Sequence, residues 1–195
     1  MAFRGQPAPP DGRAFGDLMT NPCHDEASDV VNAFITAMRQ AFDPAADCPP
    51  DGGGTTNVRF FAGDGELPSS LIPQGPKCKQ PLLWVRVAHR FRSRVGDFPA
   101  AFVGDAPCGT ADLRRVLAVE IGVGRCSTME AAPKWDVLED EATVSLDDSW
   151  RIEKVLCVVA TRLRTKSRAV ATDTVAPFGP QGGIIAWTGM AYVQF

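Results

Sequence analysis

Ile184-Ile185-Ala186-Trp187-Thr188-Gly189-Met190-Ala191-Tyr192-Val193-Gln194-Phe195 ends the chain, and its alternation is the strongest structural signal in it. Ile185, Trp187, Gly189, Ala191, Val193 and Phe195 fall on one side of an extended segment, and Ile184, Ala186, Thr188, Met190, Tyr192 and Gln194 on the other. The first set is the more apolar, so the pattern predicts a strand with that side against a core. Gly179-Pro180-Gln181-Gly182-Gly183 just before it reads as a turn, and Val170 to Phe178 as the strand feeding that turn. Upstream, Ile152, Val155, Leu156, Val159 and Leu163 recur at helical spacing, with Cys157 and Val158 widening the stripe. Ser145-x-x-Asp148 has the form of an acidic capping box, which predicts a helix over Asp147 to Leu163.

Working outward, Leu113 to Cys126 is a second long strand. Leu117, Val119, Ile121 and Val123 alternate there with Ala118, Glu120, Gly122 and Gly124. The small residues leave room for a helix or another subunit to approach closely. Leu82 to Arg94 is a third strand, with Leu83, Val85, Val87, His89 and Phe91 expected on the core side. Trp84, Arg86, Ala88, Arg90 and Arg92 take its other side. These two strands are expected to pair antiparallel, and Val58-Arg59-Phe60-Phe61 is a shorter strand. Near the start, Val30, Phe34, Met38 and Phe42 fall at four-residue spacing, giving a helix from about Asp25 that Pro44 stops. Residues 1–20, with Pro7, Pro9 and Pro10, read as an extended arm, and 43–57 and 63–81 as long Pro/Gly-rich loops. The expected fold class is α+β: a mostly antiparallel or mixed sheet flanked by two main helices, in one domain over residues 21–195.

Composition narrows the function classes. With 195 residues and 45% hydrophobic content, the chain can bury a sizeable core. A net charge of −3 provides no general attraction to nucleic acid or anionic membranes. No apolar run approaches the roughly 20 residues of a membrane helix, and the start lacks the apolar stretch of a secretion signal, so a cytoplasmic site of assembly is expected. The six cysteines include no C-x2-C pair. Free thiols are therefore expected, with one disulfide among Cys23, Cys48, Cys78 and Cys108 left open.

Motifs for chemistry are missing. The two histidines, His24 and His89, have no neighbouring nucleophile, and no P-loop, Gly-x-Ser-x-Gly or His-Glu-x-x-His occurs. Gly52-Gly53-Gly54 is not followed by Lys-Ser/Thr or a helix, which argues against a phosphate cradle. The expectation is a non-enzymatic protein without cofactor, catalytic residues or metal site. Two charged groups suggest contact surfaces instead. One is the arginine side of the third strand, Arg86, Arg90 and Arg92. The other is an acidic segment read as a solvated connection, with Asp136, Glu139, Asp140 and Glu141.

Leu117 to Cys126, the helix to Leu163, and Ala176-Pro177-Phe178-Gly179-Pro180-Gln181-Gly182-Gly183 with the Trp187 strand together resemble the tail terminator, or head-to-tail connector, proteins of long-tailed phages of actinobacteria. The resemblance spans about half the chain and implies a virion structural protein at the junction of tail and neck, put together in the host cytoplasm. Six copies would form a ring that ends the tail tube, contacting the major tail tube protein below and a neck or stopper protein above. DNA would pass through the lumen without sequence-specific binding. An adaptor, a stopper or a tail-tube subunit is the alternative within the virion, and a small hydrolase the alternative outside it. The arginine strand and the acidic segment are then the expected complementary surfaces between neighbouring copies.

Overall fold

The computed structural model describes residues 25–63, 80–107 and 109–195, so the arm expected over residues 1–20 and most of the second long loop lie outside the described residues. The described elements are α1 (Ala27–Ala41), β1 (Val58–Ala62), β2 (Leu82–Arg94), β3 (Leu113–Cys126), α2 (Trp135–Leu163), β4 (Val170–Thr172), β5 (Ala176–Gln181) and β6 (Ile184–Gln194). They form an α+β fold on one mostly antiparallel sheet, ordered β1-β2-β3-β6-β4, with β5 also paired to β6. Only the β1–β2 pair is parallel.

The last strand lies inside this sheet. β6 pairs with β3 on one side and with β4 and β5 in succession on the other. Its alternation follows the sequence: Ala191 and Val193 are fully buried, and Gly189 lies so near Leu156 and Ile152 of α2 that a Cβ would clash. The turn between β5 and β6 consists of Gly182 and Gly183 at φ 61° and 76°. Two positive φ values in a two-residue loop are what a right-twisted hairpin requires.

Both helices pack on the same side of the sheet. Val30, Phe34 and Met38 of α1 join Leu83, Val85, Leu117, Val119, Ile121 and Ile152 in the main core. The other side carries a smaller cluster, Leu82, Trp84 and Ala186. Its anchor is Trp84, whose indole lies over Gly122; a Cβ there would sit 2.2 Å from the ring. Gly122 of β3 thus admits a tryptophan from the neighbouring strand.

Three expectations need correction. α2 begins at Trp135, so the acidic segment is helical and not a loose connection. Leu138, Glu139, Glu141 and Ala142 are strong helix formers, and the density of charge hid this. Ser145 and Asp148 consequently lie in mid-helix, both buried, and cap nothing. Cys157 and Val158 are exposed and do not widen the buried stripe. The expectation of free thiols also fails in part: Cys126 is disulfide-bonded, while Cys48 and Cys157 are free.

Candidate assembly surface

β2 carries a bulge between Val87 and His89, where one residue drops out of register with β3. Before it, Val85 pairs with Ile121 and Arg86 with Glu120; after it, His89 pairs with Ala118 and Arg90 with Leu117. Directly paired residues share a face, and an inserted residue exchanges the two faces. Arg86 therefore lies on the side away from the helices, while Arg90 and Arg92 lie on the helix side. The expected arginine face is divided, and His89, placed on the core side by alternation, is exposed on the opposite one.

Each arginine has local surroundings. Arg86 pairs with Glu120, whose other oxygen accepts the Trp84 indole N–H at 2.9 Å. Arg90 pairs with Asp25 at 2.6 Å, and that contact, with the N–H of Ala27, holds the Asp25 carboxyl below its ordinary range. Arg92 sits opposite Arg115, which reaches Glu26 and stacks on the Phe195 ring at 4.9 Å. The acids divide similarly. Glu141 accepts the Ser127 hydroxyl at 3.0 Å and the Thr128 N–H at 2.7 Å, bracing the link from β3 to α2. Asp136, Glu139 and Asp140 are exposed.

A polar arrangement among the described residues centres on Arg125 and Arg151, neither of them singled out from the sequence. Arg125, near the end of β3, reaches both oxygens of Asp148 on α2 with its Nε and Nη2. It also donates to the carbonyls of Gly52 and Gly53 at 2.6 and 3.0 Å. One turn on, Arg151 donates to Asp147 at 2.7 Å and to the carbonyls of Ala41, Cys48 and Pro49. Two arginines thus tie the loop after α1 onto α2. The glycines turn carbonyls, not N–H groups, toward the charge, so their local polarity is the reverse of a phosphate cradle. Burial pushes the Asp148 carboxyl up, with Arg125 opposing. An Asp147-Asp148 pair with Arg151 four residues beyond was the available sequence signal, though the partner at 125 gave none.

The outer surface of α2 holds several large apolar side chains in the open. Its buried residues begin only at Ser145, so the segment from Trp135 to Val144, about 15 Å of helix, buries none. Trp135 is 79% exposed and Leu146 70%, while Trp150 is half-covered at 49%. At 3.6 residues per turn the three lie within about 60° of one another. Lys154 rests on the Trp150 ring at 4.8 Å, and Glu139 lies within the same stripe. The surface thus carries large apolar side chains with charged ones among them, and exposed apolar side chains gathered on one face commonly mark a contact surface.

No family model matches the chain, and no curated protein matches it. Among the described residues no group of three or more His, Cys, Asp or Glu is placed to hold a metal ion. No described helix is long and apolar enough to cross a membrane. The outer edges of β1 and β5 have no partner strand among the described residues. All six residues of β5 are exposed, so this edge, like the α2 stripe, is open to another chain.

Proposed function

We propose that this chain is a structural protein of a phage virion, a tail terminator whose copies close into a ring at the end of the tail tube and join it to the neck. The observation that carries the reading is the projecting first half of α2, with Trp135 and Leu146 exposed on an ordered helix. Large apolar side chains held outward on a rigid element favour association. A ring needs two different surfaces on each copy, because its contacts run head to tail. The α2 stripe and an open strand edge supply two such surfaces in different parts of the molecule. A net charge of −3 suits a conduit through which DNA must slide.

The division of the arginine strand changes which contacts the proposal uses. Arg86 is engaged inside the fold with Glu120, which also accepts the Trp84 indole N–H, so it is set aside as a contact between copies. The acidic partners that stay outward are Asp136, Glu139 and Asp140.

The test is imaging of the purified protein by negative stain, followed by mixing with tubes assembled from the cognate major tail tube protein. Rings with a central opening that seat on tube ends and stop their growth are the expected result. Rings that ignore tube ends but bind a neck component would place the chain as an adaptor or stopper. Co-assembly along the tube would make it a tube subunit. A protein that stays monomeric at high concentration and binds none of these overturns the proposal.

A further inference from the structure

On the sheet face away from the helices, a cavity of about 560 Å3 opens at the end of β2 and β6. That volume lies within the range of small-ligand pockets, roughly 300–1,000 Å3. Its floor is aromatic. His89 and Phe91 of β2 lie with ring centroids 5.4 Å apart, and Tyr192 meets Phe91 edge to face at 6.3 Å. The bulge in β2 produces this floor, because without the inserted residue His89 and Phe91 would be turned toward the helices. One wall is apolar backbone and small side chains, including Pro99 and Ala100 from the connection between β2 and β3. Two carboxylates complete the lining: Asp97 from that connection and Asp173 just after β4.

Neither carboxylate has an ion-pair partner among the described residues. One oxygen of Asp173 accepts the N–H of Thr174 at 2.7 Å, which fixes the side chain and leaves its second oxygen available. Among the described residues the lining includes no lysine or arginine. Aromatic faces attract cations, two carboxylates attract them further, and an apolar wall suits a methylene stem. A planar cation gains most, since it can lie along a ring while its N–H groups reach carboxylate oxygens.

We propose that this cavity binds a guanidinium group, presented as an arginine side chain with its stem along Pro99 and Ala100. The proposal stands on the sheet face opposite α2 and does not depend on ring formation. Arg90 and Arg92 lie on the other face of the same strand, so neither of them fills the cavity.

Tyr192 is the single tyrosine of the chain and His89 one of only two histidines, so their ring resonances report directly on the cavity. The full chain is titrated with N-acetyl-argininamide, with the uncharged N-acetyl-citrullinamide as control, while these resonances are followed. Saturable shifts with the arginine compound, at least tenfold weaker binding of the citrulline compound, and at least a tenfold loss in an Asp97→Asn/Asp173→Asn variant are expected. Both aspartates are exposed, and an unchanged circular dichroism spectrum establishes that the variant folds. Equal responses to the two compounds, no response to either, or full binding by the folded variant overturns the proposal. Sedimentation of the same variant then identifies the donor. Weaker self-association supports an arginine from a second copy, and unchanged self-association with lost arginine binding supports one from a different protein.

Discussion

Arg125 does more for the fold than any side chain picked out by pattern. It holds Asp148 with two donors and the Gly52 and Gly53 carbonyls with others, while its side chain is only 11% exposed. Removing one member of such a pair strands a buried charge. Arg125→Met should therefore cost about 3–5 kcal/mol, measured by urea denaturation, and open the 50–54 segment to proteolysis. Arg125→Lys should recover only part, because an ammonium cannot span a carboxylate and two carbonyls as the guanidinium fork does. Two aspartates should respond to pH with opposite signs. Burial raises Asp148 above its ordinary 3.8, so the folded state binds its proton more tightly than the unfolded chain. Wild type should then lose stability relative to Asp148→Asn as pH rises from 3.8 through the folded value, and hold a constant difference above it. Asp25 is lowered by Arg90, so its contribution is present above 3.8 and disappears as pH falls through the folded value. That pair is solvent-exposed, and Asp25→Asn should cost under about 1 kcal/mol at neutral pH. Denaturation of both variants in acid and neutral buffer checks the signs. Ser145 was legible as a hydroxyl beside a helix but not in its role. It accepts the Trp187 indole N–H at 2.7 Å, a contact across 42 residues that no local motif announces.

At the scale of elements, periodicity served where a strand stays regular and failed where one extra residue enters. The limits of β2 and β3 match those read from alternation, and β6 faces the core with the predicted set. The bulge after Val87 then reverses the outer half of β2, because a period of two carries no memory across an insertion. Arg90, Arg92 and His89 were misplaced for that single reason. α2 was cut short for another: its first ten residues face outward almost all round, so they lack the apolar stripe by which a packed helix is recognised. That same exposure separates contact from stability. Trp135→Ser and Leu146→Ser should each change monomer stability by no more than about 0.5 kcal/mol, since neither side chain is packed. Together they should weaken self-association at least tenfold by sedimentation velocity. A change in the denaturation midpoint with association intact would move the contact surface off α2.

For the whole molecule, the position of β6 makes the end of the chain indispensable. Ala191 and Val193 are fully buried between β3 and β4, and the Phe195 N–H bonds to the Arg115 carbonyl. Deleting 191–195 should leave no folded product by circular dichroism, because it removes the part of β6 that holds β4 in the sheet and takes Ala191 and Val193 out of the core. The geometry of assembly allows a sharper test. In a ring, each copy meets one neighbour through one surface and the next neighbour through another. A Trp135→Glu/Leu146→Glu variant loses one surface and keeps the second, so it can still add to an incomplete ring of wild-type copies but cannot be extended from its damaged side. Mixing the two should convert closed rings into short open arcs, each ending in one variant, and native mass spectrometry would resolve their masses. A two-fold dimer built on α2 behaves differently, because both partners then need the same surface. Wild-type dimers and free variant would persist side by side with no mixed species, and that outcome would exclude head-to-tail closure through α2.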